Sequence, residues 1–130
     1  MPRAVASAPG KAILLGEHAV VYGQPALAVP LPGLATTVEI DLDGSASGLE
    51  VRHRRDLPTA MVERMVERAR DLLAVPAAGR LTVEVGGNLP IGVGMGSSAA
   101  LGVSILRALA TLAGRTIETS ELARLATELE

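Results

Sequence analysis

The chain has 130 residues, of which 48% are hydrophobic, enough for one domain with a sizeable core. A net charge of −2 and a single aromatic residue, Tyr22, exclude a nucleic-acid surface built from basic stripes and base-stacking rings. The absence of cysteine excludes disulfides and thiol chemistry and permits a cytoplasmic setting, no apolar run is long enough to span a membrane, and the N-terminus lacks the order of a signal peptide.

Residues 3–7 and 12–16 read as two strand pieces separated by a turn at Ala8-Pro9-Gly10-Lys11, since Pro-Gly punctuates structure. Lys11 is the one lysine among the 12 cationic side chains, all the others being arginine. A compact ammonium meeting a phosphoryl group as a point charge is one requirement that arginine does not meet. Glu17 and His18 follow the apolar run from Ala12 to Leu15, at a strand end where sites tend to form.

Thr36 to Leu42 alternates polar and apolar residues and predicts a half-buried strand. Asp43-Gly44 is a hairpin signal, with Leu49 to Arg52 as the returning strand. Arg52-His53-Arg54-Arg55 reads as a solvated basic loop or strand end. A helix over 59–74 places Met61, Val62, Met65, Val66, Ala69, Leu72 and Leu73 on one face. Pro76 and Gly79 end it, and Arg80 to Val85 alternates again as a strand.

That strand delivers the chain to Pro90-Ile91-Gly92-Val93-Gly94-Met95-Gly96-Ser97-Ser98-Ala99-Ala100. Glycines at 92, 94 and 96 let backbone amides approach an anion, and the helix behind them offers unpaired N–H groups and a positive dipole end. A phosphate group is the natural guest. Ser97 or Ser98 is placed to cap the helix, and a hydroxyl there can also ligate the Mg²⁺ that accompanies a nucleotide. The stretch is not a Walker A loop, because no Lys-Ser or Lys-Thr closes it, and a nucleophile elbow is absent. Gly92-x-Gly94-x-x-Ser97 only grazes the dinucleotide fingerprint, and Pro90 interrupts the strand that the fingerprint needs.

Residues 98–113 predict a helix that is small and apolar nearly all round, hence buried, and Gly114 stops it. Thr119 or Ser120 caps a last helix with Leu122, Leu125, Ala126 and Leu129 inward, still running at Glu130. Periodicity alone thus gives a mixed α/β chain.

Two separated segments resemble one family. Ala8-Pro9-Gly10-Lys11 through Gly16-Glu17-His18-Ala19-Val20-Val21-Tyr22-Gly23 and Pro25-Ala26-Leu27-Ala28 is similar to the first motif of mevalonate kinases. The stretch from Pro90 to Ala100 resembles the second motif of the wider superfamily of galacto-, homoserine, mevalonate and phosphomevalonate kinases, with Met95 where Leu is usual. The resemblance implies an α+β N-terminal domain, a mostly antiparallel sheet with packed helices and a left-handed βαβ crossover. It implies ATP and Mg²⁺ as cofactors and mevalonate as the small-molecule substrate, phosphorylated on its 5-hydroxyl in isoprenoid biosynthesis.

Carried over residue by residue, Lys11 matches the motif lysine near the reacting hydroxyl and the γ-phosphate. Glu17 and His18 match positions lining the mevalonate pocket. Pro90, Gly92, Gly94, Met95, Gly96, Ser97, Ser98 and Ala99 match the ATP-phosphate cradle. Ser98 matches the Mg²⁺-ligating serine, and Glu130 the acidic metal partner, with Glu128 the alternative register. The family's Ser-Gly-x-Asp element, with its proposed general base, and its C-terminal domain do not occur in these 130 residues. The expectation is therefore residues 1–130 as an N-terminal ATP- and substrate-binding domain, lacking its C-terminal kinase domain and inactive alone, and the full-length enzyme has room to be a homodimer. The alternatives are another kinase of the superfamily, for phosphomevalonate or a sugar, and a non-catalytic nucleotide-binding remnant.

Overall fold

A computed structural model describes residues 2–16, 22–53, 57–75, 79–92 and 94–130. The elements in chain order are β1 (Arg3–Leu15), β2 (Leu27–Asp43), β3 (Gly48–His53), α1 (Thr59–Leu73), β4 (Arg80–Gly87), α2 (Ser97–Leu112) and α3 (Thr119–Leu129). The four strands form one mixed sheet in the order β1-β2-β4-β3. β2 is antiparallel to both β1 and β4, and β3 runs parallel to β4. The α+β architecture expected from the motifs is therefore the one observed.

Alternation decides which face of the sheet is buried. Val38 and Ile40 of β2 and Val83 and Val85 of β4 are fully buried, and the register sets Val38 opposite Val85 and Ile40 opposite Val83. The predicted face of α1 covers this layer through Val62, Met65, Val66, Ala69 and Leu73. α2 is buried along most of its length, as its small apolar sequence requires, and packs against β1, β2, α1 and α3. Leu122, Leu125 and Leu129 turn α3 inward. The opposite sheet face is charged and wet: Arg3 pairs with Glu39 at 2.8 Å and Asp41 at 2.7 Å, and Glu50 pairs with Arg52 and Arg80.

Three sequence expectations are corrected. Ala8-Pro9-Gly10-Lys11 is not a turn, because β1 continues through it as an edge strand, where a missing N–H at Pro9 costs no ladder bond. The irregularity is taken up by β2 instead: the register passes from Pro9 opposite Ala35 to Gly10 opposite Leu31, leaving 32–34 as extra residues. Asp43-Gly44 does not make a hairpin between β2 and β3. Asp43 accepts from the Ser45 N–H and hydroxyl, and the chain then skips a place that β4 fills. Neither helix has the predicted side-chain cap: Gly96 stands at the N-cap of α2 and Glu118 at that of α3. Ser97 and Ser98 lie inside the first turn of α2, which frees the Ser98 hydroxyl for another partner.

Candidate functional site

The glycine stretch is built on a joint between β4 and β2. Gly87 closes β4 with φ +99°, and a Cβ there would collide with the Ala35 carbonyl. Asn88 then binds β2 at Gly33, one of its extra residues, and at Ala35 just beyond them. Its Oδ1 accepts from Ala35 N at 2.9 Å, its Nδ2 donates to Gly33 O at 2.9 Å, and its own N–H donates to Ala35 O at 3.0 Å. Leu89 follows with no exposed surface, forming with Ala8 and Ala100 a small apolar cluster under the loop. Burying this leucine contributes about 2 kcal/mol to holding the loop down.

Above that anchor, Gly92, Gly94 and Gly96 take φ of +75°, +77° and +74°. A side chain at 92 or 94 would meet only open space, so the left-handed backbone, not crowding, selects glycine there. The loop ends at the N-terminus of α2, whose first amides have no partner within the helix.

The two motif segments meet here. Lys11 N donates to Met95 O at 2.9 Å, which ties β1 directly to the glycine loop. Gly10 makes the approach possible: a Cβ on it would lie 2.9 Å from Met95 O and closer still to Leu89 Cδ1. The aliphatic stem of Lys11 runs along Gly96, where an added Cβ would lie 3.0 Å from its Cγ. No ion pair to Lys11 occurs among the described residues.

At the helix end, Ser98 Oγ donates to Glu130 Oε1 at 2.9 Å. Glu128, two residues earlier, pairs instead with Arg124 at 3.0 Å. The geometry therefore brings Glu130 to Ser98. A hydroxyl and a carboxylate are hard oxygen donors, and a short protein donor set suits Mg²⁺, which keeps waters and substrate phosphate oxygens around itself. Among the described residues there is no cluster of three His, Cys, Asp or Glu side chains that would hold a metal unaided.

Two cavities adjoin the loop. One, of about 240 Å³, is walled mainly by apolar side chains, including Leu57, Met61, Ile91 and Leu101, and reaches Gly92, Ser97 and Ser98. The other is an open groove of about 570 Å³ between α1 and the end of α3, with Arg64, Arg68, Ser98 and Glu130 on its walls.

Lys11, Gly92, Gly94, Met95, Gly96, Ser97, Ser98 and Glu130 are thus gathered in one region, with Pro90 and Ala99 in the same loop and helix start. Glu17 and His18 lie outside the described residues. Gly10 and Asn88 shape the site without having been assigned to it from the sequence. The signal in Gly10 was its place beside the lone lysine; in Asn88, an amide where a strand enters the glycine run.

Residues 56–130 match the family described as GHMP kinases N terminal domain. The mevalonate kinase of Methanothermobacter thermautotrophicus is 36% identical over 128 residues, covering 96% of this chain and 42% of that protein. Among solved structures, the mevalonate kinase of methicillin-resistant Staphylococcus aureus superposes with a TM-score of 0.76 at 31% identity, over 99% of this chain and 45% of that one. The Methanococcus jannaschii mevalonate kinase superposes with a TM-score of 0.86 at 21% identity, covering 99% and 46%, and shows the shared fold. The chain spans less than half the length of the curated relatives it matches.

Proposed function

The chain belongs to the GHMP kinase family through its N-terminal domain, and from that premise we propose that it forms the ATP-phosphate cradle of a kinase that phosphorylates the 5-hydroxyl of mevalonate. One observation carries the reading: the lone lysine is fixed against the glycine loop by the Lys11 N to Met95 O bond and by its stem along Gly96. A phosphate cradle and a single ammonium side by side are what phosphoryl transfer asks of a protein, because its catalysis is positioning and charge stabilisation. The relatives named mevalonate kinase supply the acceptor.

The residues divide the work by chemistry. Backbone amides from Gly92 to Ser97 and the α2 N-terminus bind phosphate oxygens. The apolar cavity beside the loop takes the purine face, removing it from water. Lys11 holds its charge near the transferred phosphoryl and stabilises the acceptor oxygen as it loses its proton. Glu17 and His18 hydrogen-bond the acid substrate. Ser98 and Glu130 hold Mg²⁺, which supplies charge neutralisation of the phosphate oxygens when bound.

In this reading the general base is the Asp of the family's Ser-Gly-x-Asp element, and the closing lid belongs to a C-terminal domain. Leu14, Leu15 and Leu27, each more than half exposed at the β1–β2 ladder's end, together with Tyr22, form the apolar surface for it. By itself the chain then binds substrates and transfers phosphate poorly. The test is calorimetric titration of the ATP-loaded chain with mevalonate, phosphomevalonate, galactose and homoserine. Binding of mevalonate alone supports the acceptor assignment. A preference for galactose or phosphomevalonate moves the chain to another branch of the family, and binding of none refutes the acceptor pocket.

A further inference from the structure

The Ser98–Glu130 pair joins the start of α2 to the residue that follows α3. Arg68, on the outward side of α1, reaches across the groove and donates through Nε to Glu128 O at 3.4 Å. One residue on, Leu129 is buried over Gly102, where an added Cβ would lie 3.1 Å from Leu129 Cδ2. Gly102 lies one helical turn beyond Ser98 on α2, so the leucine seats beside the serine that Glu130 reaches. Meanwhile Arg124 draws the Glu128 carboxylate away from the pair.

The geometry points to Arg68 as a positioning residue for the metal site: it holds the last turn of α3 so that Glu130 meets Ser98. The inference rests on the reading of Ser98 and Glu130 as Mg²⁺ donors. Among the described residues Arg68 makes no hydrogen bond or ion pair with Ser98, Glu130 or the phosphate loop. It acts through a backbone carbonyl, so its effect depends on a donor in reach and not on charge alone. Arg64, one turn earlier on the same helix, makes no hydrogen bond or ion pair to α3 among the described residues and serves as the comparison.

The experiment measures the affinity of the 130-residue chain for Mn²⁺·ATP by water-proton relaxation enhancement, with thermal melts alongside. Arg68→Met and Arg68→Gln, which keep the stem and lose the reach, are expected to weaken Mn²⁺·ATP by about 10-fold with little change in melting temperature. Arg68→Lys keeps a donor and is expected to retain most of the affinity, while Arg64→Met leaves it unchanged. If Glu130→Gln weakens binding and neither the Met nor the Gln variant does, the positioning role of Arg68 is overturned and the metal reading stands. If the wild-type chain gives no enhancement, or Glu130→Gln leaves it unaltered, the metal reading falls and the inference falls with it.

Discussion

Gly10→Ala is the smallest change that should separate the two motifs. The new methyl would lie 2.9 Å from Met95 O and closer still to Leu89 Cδ1. Neither neighbour yields easily: Leu89 is fully buried, and Met95 O already accepts from Lys11 N. Overpacking of this kind costs about 1–3 kcal/mol. At about 3–5 °C per kcal/mol for a chain of this size, the melting temperature falls by several degrees. The loop moves away from β1, so the cradle opens and ATP affinity falls by about 10-fold, equivalent to about 1.4 kcal/mol.

The pair Gly10→Ala and Leu89→Ala then tests the geometry. Leu89→Ala alone costs about 2–5 kcal/mol by leaving a cavity. In the double variant the methyl partly fills that cavity, so the total is less than the sum by about 1 kcal/mol or more. ATP affinity does not return, because the clash with the Met95 carbonyl remains. Thermal or urea melts and ATP titration on the four proteins provide the cycle. Gly10→Ala within about 0.5 kcal/mol of wild type, or strict additivity, would refute the close approach as the reason for glycine.

Three further expectations follow from the same geometry. Lys11→Arg keeps the charge but replaces a point ammonium with a planar fork along Gly96; ATP affinity should fall by about 10-fold with ADP little affected, and equal losses for both nucleotides would place the lysine away from the γ-phosphate. Asn88→Ala removes two hydrogen bonds to β2, at Gly33 and Ala35, and should cost about 2 kcal/mol in urea unfolding, against no effect if the joint is held by Leu89 alone. The Glu50 carboxylate, hydrogen-bonded to Arg52, and Asp43, hydrogen-bonded to Ser45, are held below their ordinary values. The unfolded chain therefore takes up these protons first, so their stabilisation is present above the unfolded values and is lost as pH falls below about 4. Melting temperature should be flat near neutrality and drop in that acid window, and Glu50→Gln should reduce the drop.

Local periodicity identified α1, α2, α3, β4 and the second half of β2, because each buries one face and the spacing of Val38 and Ile40, or of Val62, Met65 and Val66, states which; the first half of β2, from Leu27, does not alternate and was not identified. It did not identify the neighbours of a strand. Leu49 and Val51 alternate equally well beside β2 or β4, and only the sheet as a whole puts β3 parallel to β4. Pro9-Gly10 misled for a related reason: the residues that make turns are also those tolerated at an edge strand and at a close approach, and local sequence does not distinguish the cases. The glycine loop was legible because three alternating glycines have few other uses. Asn88 and Arg68 were not, since an amide before a loop and an arginine on an outward helix face acquire a role only from partners 53 and 60 residues away.

The central claim, that the loop from Gly92 to Ser97 beside Lys11 binds the phosphates of ATP, is tested most directly by phosphorus NMR of ATP titrated with the chain in the presence of Mg²⁺. The account predicts that the β- and γ-phosphorus resonances shift and broaden together as the chain is added, and that Lys11→Arg lessens the γ response. Resonances that stay unmoved at saturating chain would contradict it.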